Sequence, residues 1–234
     1  MKQSILFAFL LVLVLANAYP TNSVNSSRSS SKSWFWSLSK VVTSLGKKLW
    51  YWDDKCHDLD CPKYETKKTT DDYELRCYPN YSWVGTVYEG KELTSDVRKD
   101  MFMRLFHYIQ GENVEKVKIE MTVPVASKVE SMSDKTRWTM LFFVPFKYQT
   151  SPPQPTDPQV AIVRLPKICV YVKSFNWYTD TKRVEMKVKE LEEALKKDKI
   201  TDYVDPDTAY IYGGYDNPWT LPFLRHNEVW ILQK

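Results

Sequence analysis

The sequence predicts an α+β domain: a curved antiparallel sheet, or distorted β-barrel, with two helices against it, built from two pseudo-repeated strand–helix–strand–strand halves. Three observations carry this prediction. Residues 73–87 and 160–174 each read strand, proline, strand, with Pro79 and Pro166 in matching places. Each stretch is followed by a segment of helical period, and each helix by further strand-like runs. A repeated order of elements is the signature of an internally duplicated architecture.

From the N-terminus, Lys2, the apolar run 5–15 and the small-x-small site Ala16-Asn17-Ala18 read as a secretory signal peptide over residues 1–18. The run is too short to span a bilayer. An exported, extracellular chain starting near Tyr19 is expected, with a flexible Ser-rich leader over 19–33. Trp34, Leu38, Val41, Leu45, Leu49 and Trp52 then recur at three- and four-residue spacing, with Lys40, Lys47 and Lys48 between them. Residues 34–60 therefore read as an amphipathic aromatic helix and linker. Its apolar face either packs on its own domain or lies on a membrane surface or protein partner.

The main domain is expected over 61–234. Tyr73, Leu75, Cys77, Tyr81 and Trp83 share one parity of the first strand, and Glu74, Arg76, Asn80 and Ser82 the other. Pro79 interrupts that ladder and suggests an edge or a bulge. A helix follows, capped by Thr94 or Ser95 and ended at Gly111, with a core stripe of Val97, Met101, Leu105, Tyr108 and Ile109. A second alternating strand is expected at 117–123, with Val117, Ile119, Met121 and Val123 inward. The unbroken apolar run 138–146 reads as a strand covered on both faces. A proline-dense exposed loop spans 149–158. A second helix covers 183–197, with Val184, Val188, Leu191 and Leu195 on its stripe, and strands at 209–215 and 228–232 close the chain.

Four cysteines in an exported chain invite disulfides, and three connectivities exist. Cys56 and Cys61 are close enough to pair across a short loop, which leaves Cys77 and Cys169 paired or free. One C-x4-C with a single histidine inside it is a poor zinc pattern. Sequons stand at Asn25 and Asn80. The net charge of +4 is spread without a basic block, so no nucleic-acid partner is implied. Nucleophile and metalloprotease motifs are missing, the histidines are only His57, His107 and His226, and the acidic pairs are sequence neighbours that point apart. The chain reads as a non-enzyme.

Several words occur in one order: Tyr73-Glu74-Leu75-Arg76, Trp83-Val84, residues 108–113 (YIQGEN), 118–125 (KIEMTVPV), 171–175 (YVKSF), 214–218 (GYDNP) and 225–230 (RHNEVW). Together they resemble the SOUL haem-binding family across residues 64–234. The resemblance implies reversible non-covalent binding of haem or free porphyrin, in a shallow apolar groove alongside the first helix and without turnover. In one branch of the family a histidine in the first strand word has been proposed as the iron ligand; here that position is Cys77. A thiolate can ligate haem iron, whereas a cysteine on an apolar face is also a buried thiol or half of a disulfide. His107, four residues after Met103 on the outer helix face, is the second candidate ligand, with Lys99 and Arg104 placed to pair with propionates. The expected function is secreted sequestration or carriage of a tetrapyrrole. The alternative is a membrane-surface or protein-interaction module on the same fold, using residues 34–52.

Overall fold

The structure, a computed structural model, describes residues 55–234. The readings of residues 1–54, including the signal peptide and the segment from Trp34 to Trp52, lie outside the described residues. Nine strands form one antiparallel sheet with two helices, in the order β1 (Glu65–Thr69), β2 (Glu74–Tyr78), β3 (Tyr81–Gly90), α1 (Ser95–Ile109), β4 (Val125–Ser131), β5 (Thr136–Phe143), β6 (Val160–Leu165), β7 (Ile168–Phe175), α2 (Thr181–Lys197), β8 (Ala209–Gly214) and β9 (Asn227–Leu232). The expected α+β class and antiparallel sheet are present.

Curvature follows from connectivity. The strand order is β1-β2-β7-β9-β8-β4-β5-β3-β6. β2 and β3 stand six positions apart in it yet are joined only through Pro79 and Asn80. Six strand spacings on a flat sheet are about 29 Å, while the three Cα steps from Tyr78 to Tyr81 reach at most about 11 Å. The same holds for β6 and β7, joined through Pro166 and Lys167. The sheet must curl until its ends approach. Exchanging β2 with β6, β3 with β7, β4 with β8 and β5 with β9 reproduces the strand order from its other end.

One face of the sheet is concave and dry. Tyr78, Trp83, Ala126, Leu141, Phe143, Val170, Val172, Ile211 and Trp230 fill it. The other face carries the helices. α1 lays Met101, Leu105, Tyr108 and Ile109 on Val84, Met140 and Phe142. α2 lays Val184, Val188, Leu191 and Leu195 on Tyr171, Val229 and Ile231. Thr94 caps α1 by accepting from Val97 N, and Asp180 caps α2 by accepting from Arg183 N. Gly111, at φ +117°, lets the chain leave α1, and the buried Asn113 amide pins that exit to Tyr108 O and Val117 O.

Three expectations change. Residues 79–80 do not bulge a strand; they divide it in two, and the parity switches there. Tyr73 and Leu75 face α2, whereas Tyr78, Tyr81 and Trp83 face the concavity. Residues 117–123 run extended without joining the ladder, which begins at Val125. Their alternation serves packing under α1 instead: Ile119 and Val123 are buried, and the Thr122 hydroxyl donates to Phe143 O at 2.7 Å. β1 is polar and exposed throughout, so hydrophobic periodicity does not reveal it.

All four cysteines are paired. Cys56 pairs with Cys61, and Cys77 with Cys169. The second bridge joins residues directly opposite one another in the β2–β7 ladder.

The concave face also holds a charge, Glu228, which is fully buried on β9. Its Oε1 accepts from Lys55 Nζ (2.9 Å) and Arg76 Nη1 (2.9 Å) and lies 2.8 Å from His226 Nε2. Its Oε2 accepts from Tyr215 Oη and Trp230 Nε1, each at 2.8 Å. Arg76, expected on an outward parity, is nearly inaccessible and also holds Glu74 Oε2 at 2.7 Å. Burial alone would push the Glu228 carboxyl up. The His226 hydrogen bond and the charges of Arg76 and Lys55 outweigh it and hold the group well below the usual carboxylate range.

Two outcomes follow from these ties. The Cys77–Cys169 bridge closes 92 residues of sequence, so Cys77→Ser with Cys169→Ser should cost about 4–5 kcal/mol in the loop-entropy view, read as a lower denaturant midpoint and melting temperature. A carboxylate with a depressed folded-state pKa adds stability that is full above the ordinary value of 4.5 and is lost as pH falls through the folded value. Unfolding free energy should thus decline on acidification below pH 4.5. Glu228→Gln should flatten that decline and cost roughly 3–5 kcal/mol at neutral pH, which denaturant melts between neutral and strongly acidic pH would measure.

Candidate functional site

Helix α1 presents its stripe to the sheet and so turns Lys99, Met103, Arg104 and His107 outward. Lys99 and His107 are exposed, and Met103 and Arg104 are half-buried. Lys99, Met103 and His107 follow one another at four-residue steps along the outer face. The His107 ring is half exposed, and its Nδ1 lies 3.9 Å from Glu112 Oε1, beyond hydrogen-bond reach. The four residues thus share one open helix face.

Cys77 departs from its candidate role. It is 6% exposed and bonded to Cys169, so it has no thiolate to offer a metal. His57 Nε2 lies 3.1 Å from Asp216 Oδ1, and His226 is engaged with Glu228. Of the three histidines, His107 alone keeps its ring nitrogens out of close carboxylate contact.

The concave interior offers little room. Its cavity, lined among others by Tyr78, Trp83, Leu141, Ile211 and Trp230, measures ≈ 20 Å³, enough for about one water. Small-molecule pockets run to roughly 300–1,000 Å³. A flat macrocycle is excluded from the barrel as it stands and must use an outer surface.

One outer surface is built for flat apolar contact, and periodicity did not point to it. The loop after β7 exposes Trp177 (51%) and Tyr178 (52%), and the loop between β8 and β9 exposes Trp219 (91%), Leu221, Phe223 and Leu224. These loops are fastened together. Trp177 N donates to Pro222 O at 2.8 Å, and the Asn176 amide bridges Phe223 O and Arg225 O. The Asn227 amide then fixes Trp177 O at 2.8 Å. Large apolar side chains left exposed on adjoining loops are one mark of a binding surface.

Guanidinium groups rim the patch. Arg225 lies over the Tyr178 ring at 4.8 Å and donates to the Thr220 and Pro218 carbonyls. Arg98, from the first turn of α1, donates to Thr179 O at 3.1 Å, and its Nε is buried without a partner. Among the described residues, neither Arg98 nor Arg225 is paired with a carboxylate, so both keep charge for an anionic group. Arg183 stands 5.9 Å from the Trp177 ring and is neutralised by Asp180 at 2.7 Å. The available signal for this site was the run 218–224: four apolar side chains, three of them at alternate positions, around two prolines that keep the segment out of a strand ladder.

An apolar plate edged by unpaired arginines suits a flat conjugated ring with carboxylate arms. The comparisons with known proteins agree with that chemistry. The family model described as SOUL heme-binding protein matches residues 59–232. Heme-binding protein 2 of Homo sapiens is 33% identical over 166 residues, covering 69% of this chain and 78% of that protein. Heme-binding protein 2 of Mus musculus is 30% identical over 183 residues, covering 75% and 87%. Heme-binding protein 1 of Xenopus tropicalis is 28% identical over 169 residues, covering 69% and 83%. With the motif order, the fold and a matched span that takes in every strand and both helices, the chain belongs to the SOUL haem-binding protein family.

Proposed function

We propose that this protein binds haem or free porphyrin reversibly and non-covalently, as a secreted carrier or sequestering protein rather than an enzyme. The observation that carries the reading is the exposed aromatic plate of Trp177, Tyr178, Trp219 and Phe223, rimmed by Arg98 and Arg225 that lack a carboxylate partner. The rings supply dispersion and apolar contact over a macrocycle, and the guanidinium groups orient its propionates. The filled interior supports an open, exchangeable site over a buried one. Iron, when present, would be met by His107 or stay without a protein ligand. α1 rises about 1.5 Å per residue, which puts His107 some 13 Å along the helix from Arg98. Porphyrin affinity is therefore assigned to the plate and not to the histidine.

Export rests on the signal-peptide pattern of residues 1–18 and accords with two disulfides and no free cysteine among the described residues. Asn80 lies exposed in the turn between β2 and β3, which suits glycan attachment at that sequon.

Haemin titrated into the protein should give a saturable Soret shift, and iron-free protoporphyrin a matching fluorescence change. Trp219→Ala with Phe223→Ala should weaken both at least about tenfold, the order expected for losing two stacked rings. Arg225→Ala should weaken both less. His107→Ala should leave protoporphyrin binding unchanged, and a change in the haemin spectrum alone would assign the iron to that ring. Absence of a saturable change with either ligand, alongside co-sedimentation with liposomes, would leave the membrane-surface reading in its place. Expression in a secreting eukaryotic cell should yield medium-borne protein beginning at Tyr19, with an Asn80-dependent mass loss on deglycosylation. Retention inside the cell with residues 1–18 intact would refute export.

A further inference from the structure

The surroundings of Lys55 form a second site, separate from the plate. Its ammonium lies 4.8 Å from the ring centre of Tyr64 and 5.2 Å from that of Tyr215, and donates to the buried carboxylate of Glu228 at 2.9 Å. Two aromatic faces and a desolvated carboxylate around one positive nitrogen are the recognition set for an organic ammonium ion. The sheet supplies the carboxylate and one ring, from β9 and the segment after β8. The cation comes from outside it, on the residue just ahead of the Cys56–Cys61 loop.

The charge count shows why a cation is needed there. Arg76 is shared between Glu228 and Glu74, at 2.9 and 2.7 Å. One guanidinium against two carboxylates leaves one negative charge over, and Lys55 meets it together with the His226 ring, each within 2.9 Å of Glu228 Oε1. Arg76 also lies over Tyr64, 4.5 Å from the ring centre. It is inaccessible and belongs to β2, whereas the Lys55 side chain keeps 17% of its surface in solvent. Lys55 is thus the replaceable half of the cation pair. The Tyr78 hydroxyl is a second sign of incomplete occupancy. Tyr78 is 4% exposed and stacked on Trp230 at 5.6 Å, and its buried oxygen has Arg76 beside it without a well-formed hydrogen bond. Beyond this stacked pair lies the apolar cavity that both rings help to line.

We infer that the Tyr64–Tyr215–Glu228 cage is a binding site for small organic ammonium ions, and that Lys55 is its built-in, displaceable occupant. A free ligand must compete with a tethered one, so the natural chain binds weakly and removal of the Lys55 ammonium tightens binding. The site is distinct from the porphyrin plate and does not depend on it.

The test uses the whole folded protein, with n-butylammonium and tetramethylammonium chlorides as probes against sodium chloride at equal ionic strength, followed by tryptophan fluorescence and calorimetry. The natural chain should bind at least one probe saturably. Lys55→Ala should bind it about tenfold tighter, and Tyr64→Leu in that background should undo most of the gain. Lys55→Gln, which keeps the side-chain stem, takes the place of Lys55→Ala should the latter not fold. No saturable binding by the natural chain overturns the proposal whatever the variants do. So does binding that is equally strong with and without the Lys55 ammonium.

Discussion

Two connections of two residues each, Pro79-Asn80 and Pro166-Lys167, set the shape on which everything else in this domain depends. Each joins strands that stand six positions apart in the sheet, so backbone reach forbids a flat arrangement. Proline suits both places: it fixes its own backbone angle and withdraws a ladder donor where pairing must stop. Once the sheet is curled, one face is a closed concavity filled by its own aromatics, and the other is free for two helices. The Cys77–Cys169 bridge then fastens β2 to β7 beside both connections. A domain closed this way keeps little interior room, and its exposed aromatic side chains lie on the loops.

The Glu228 cluster is the expensive element inside this shell. A carboxylate with no solvent contact is tolerable only with several donors, and the fold brings them from β2 (Arg76), from the two ends of the β8–β9 loop (Tyr215 and His226), from β9 itself (Trp230) and from residue 55. His226 and Trp230 are near neighbours of Glu228 in sequence, whereas Arg76 and Lys55 come from more than 150 residues away. The cluster therefore ties together β2, β9, the β8–β9 loop and the segment before the first disulfide. That same satisfaction of charge by Lys55, held between two tyrosine rings, is what makes the corner resemble a ligand site with its ligand already tethered.

The residues singled out along α1 and those the fold exposes differ for a physical reason. Lys99, Met103, Arg104 and His107 share a helix face by periodicity, and they do share it in three dimensions. Periodicity describes only one element, however. The plate of Trp177, Tyr178, Trp219 and Phe223 is assembled from two loops some forty residues apart, and only backbone hydrogen bonds such as Trp177 to Pro222 show that they meet. Cys77 illustrates the opposite case. Its side chain is fixed by a partner 92 positions away, and that partner converts a possible metal ligand into a covalent brace.

From sequence alone, the α+β class, both helices with their buried stripes and the closing strands were legible, because each rests on a local period or cap. So was the family, through several words in one order. The apolar run 138–146 reads as one strand, but the strand stops at Phe143 and leaves Phe146 exposed. Local pattern could not say that residues 73–87 belong to opposite ends of one sheet, that 117–123 pack without pairing, that the polar β1 exists, or that Arg76 points inward. Those outcomes depend on strand partners distant in sequence, and a two-residue period is the same whichever neighbour a strand acquires. The tertiary structure alone decided where a ligand can go. It closed the interior by curvature, took Cys77 out of metal chemistry by pairing it, and gathered aromatic side chains from separate loops into one exposed surface.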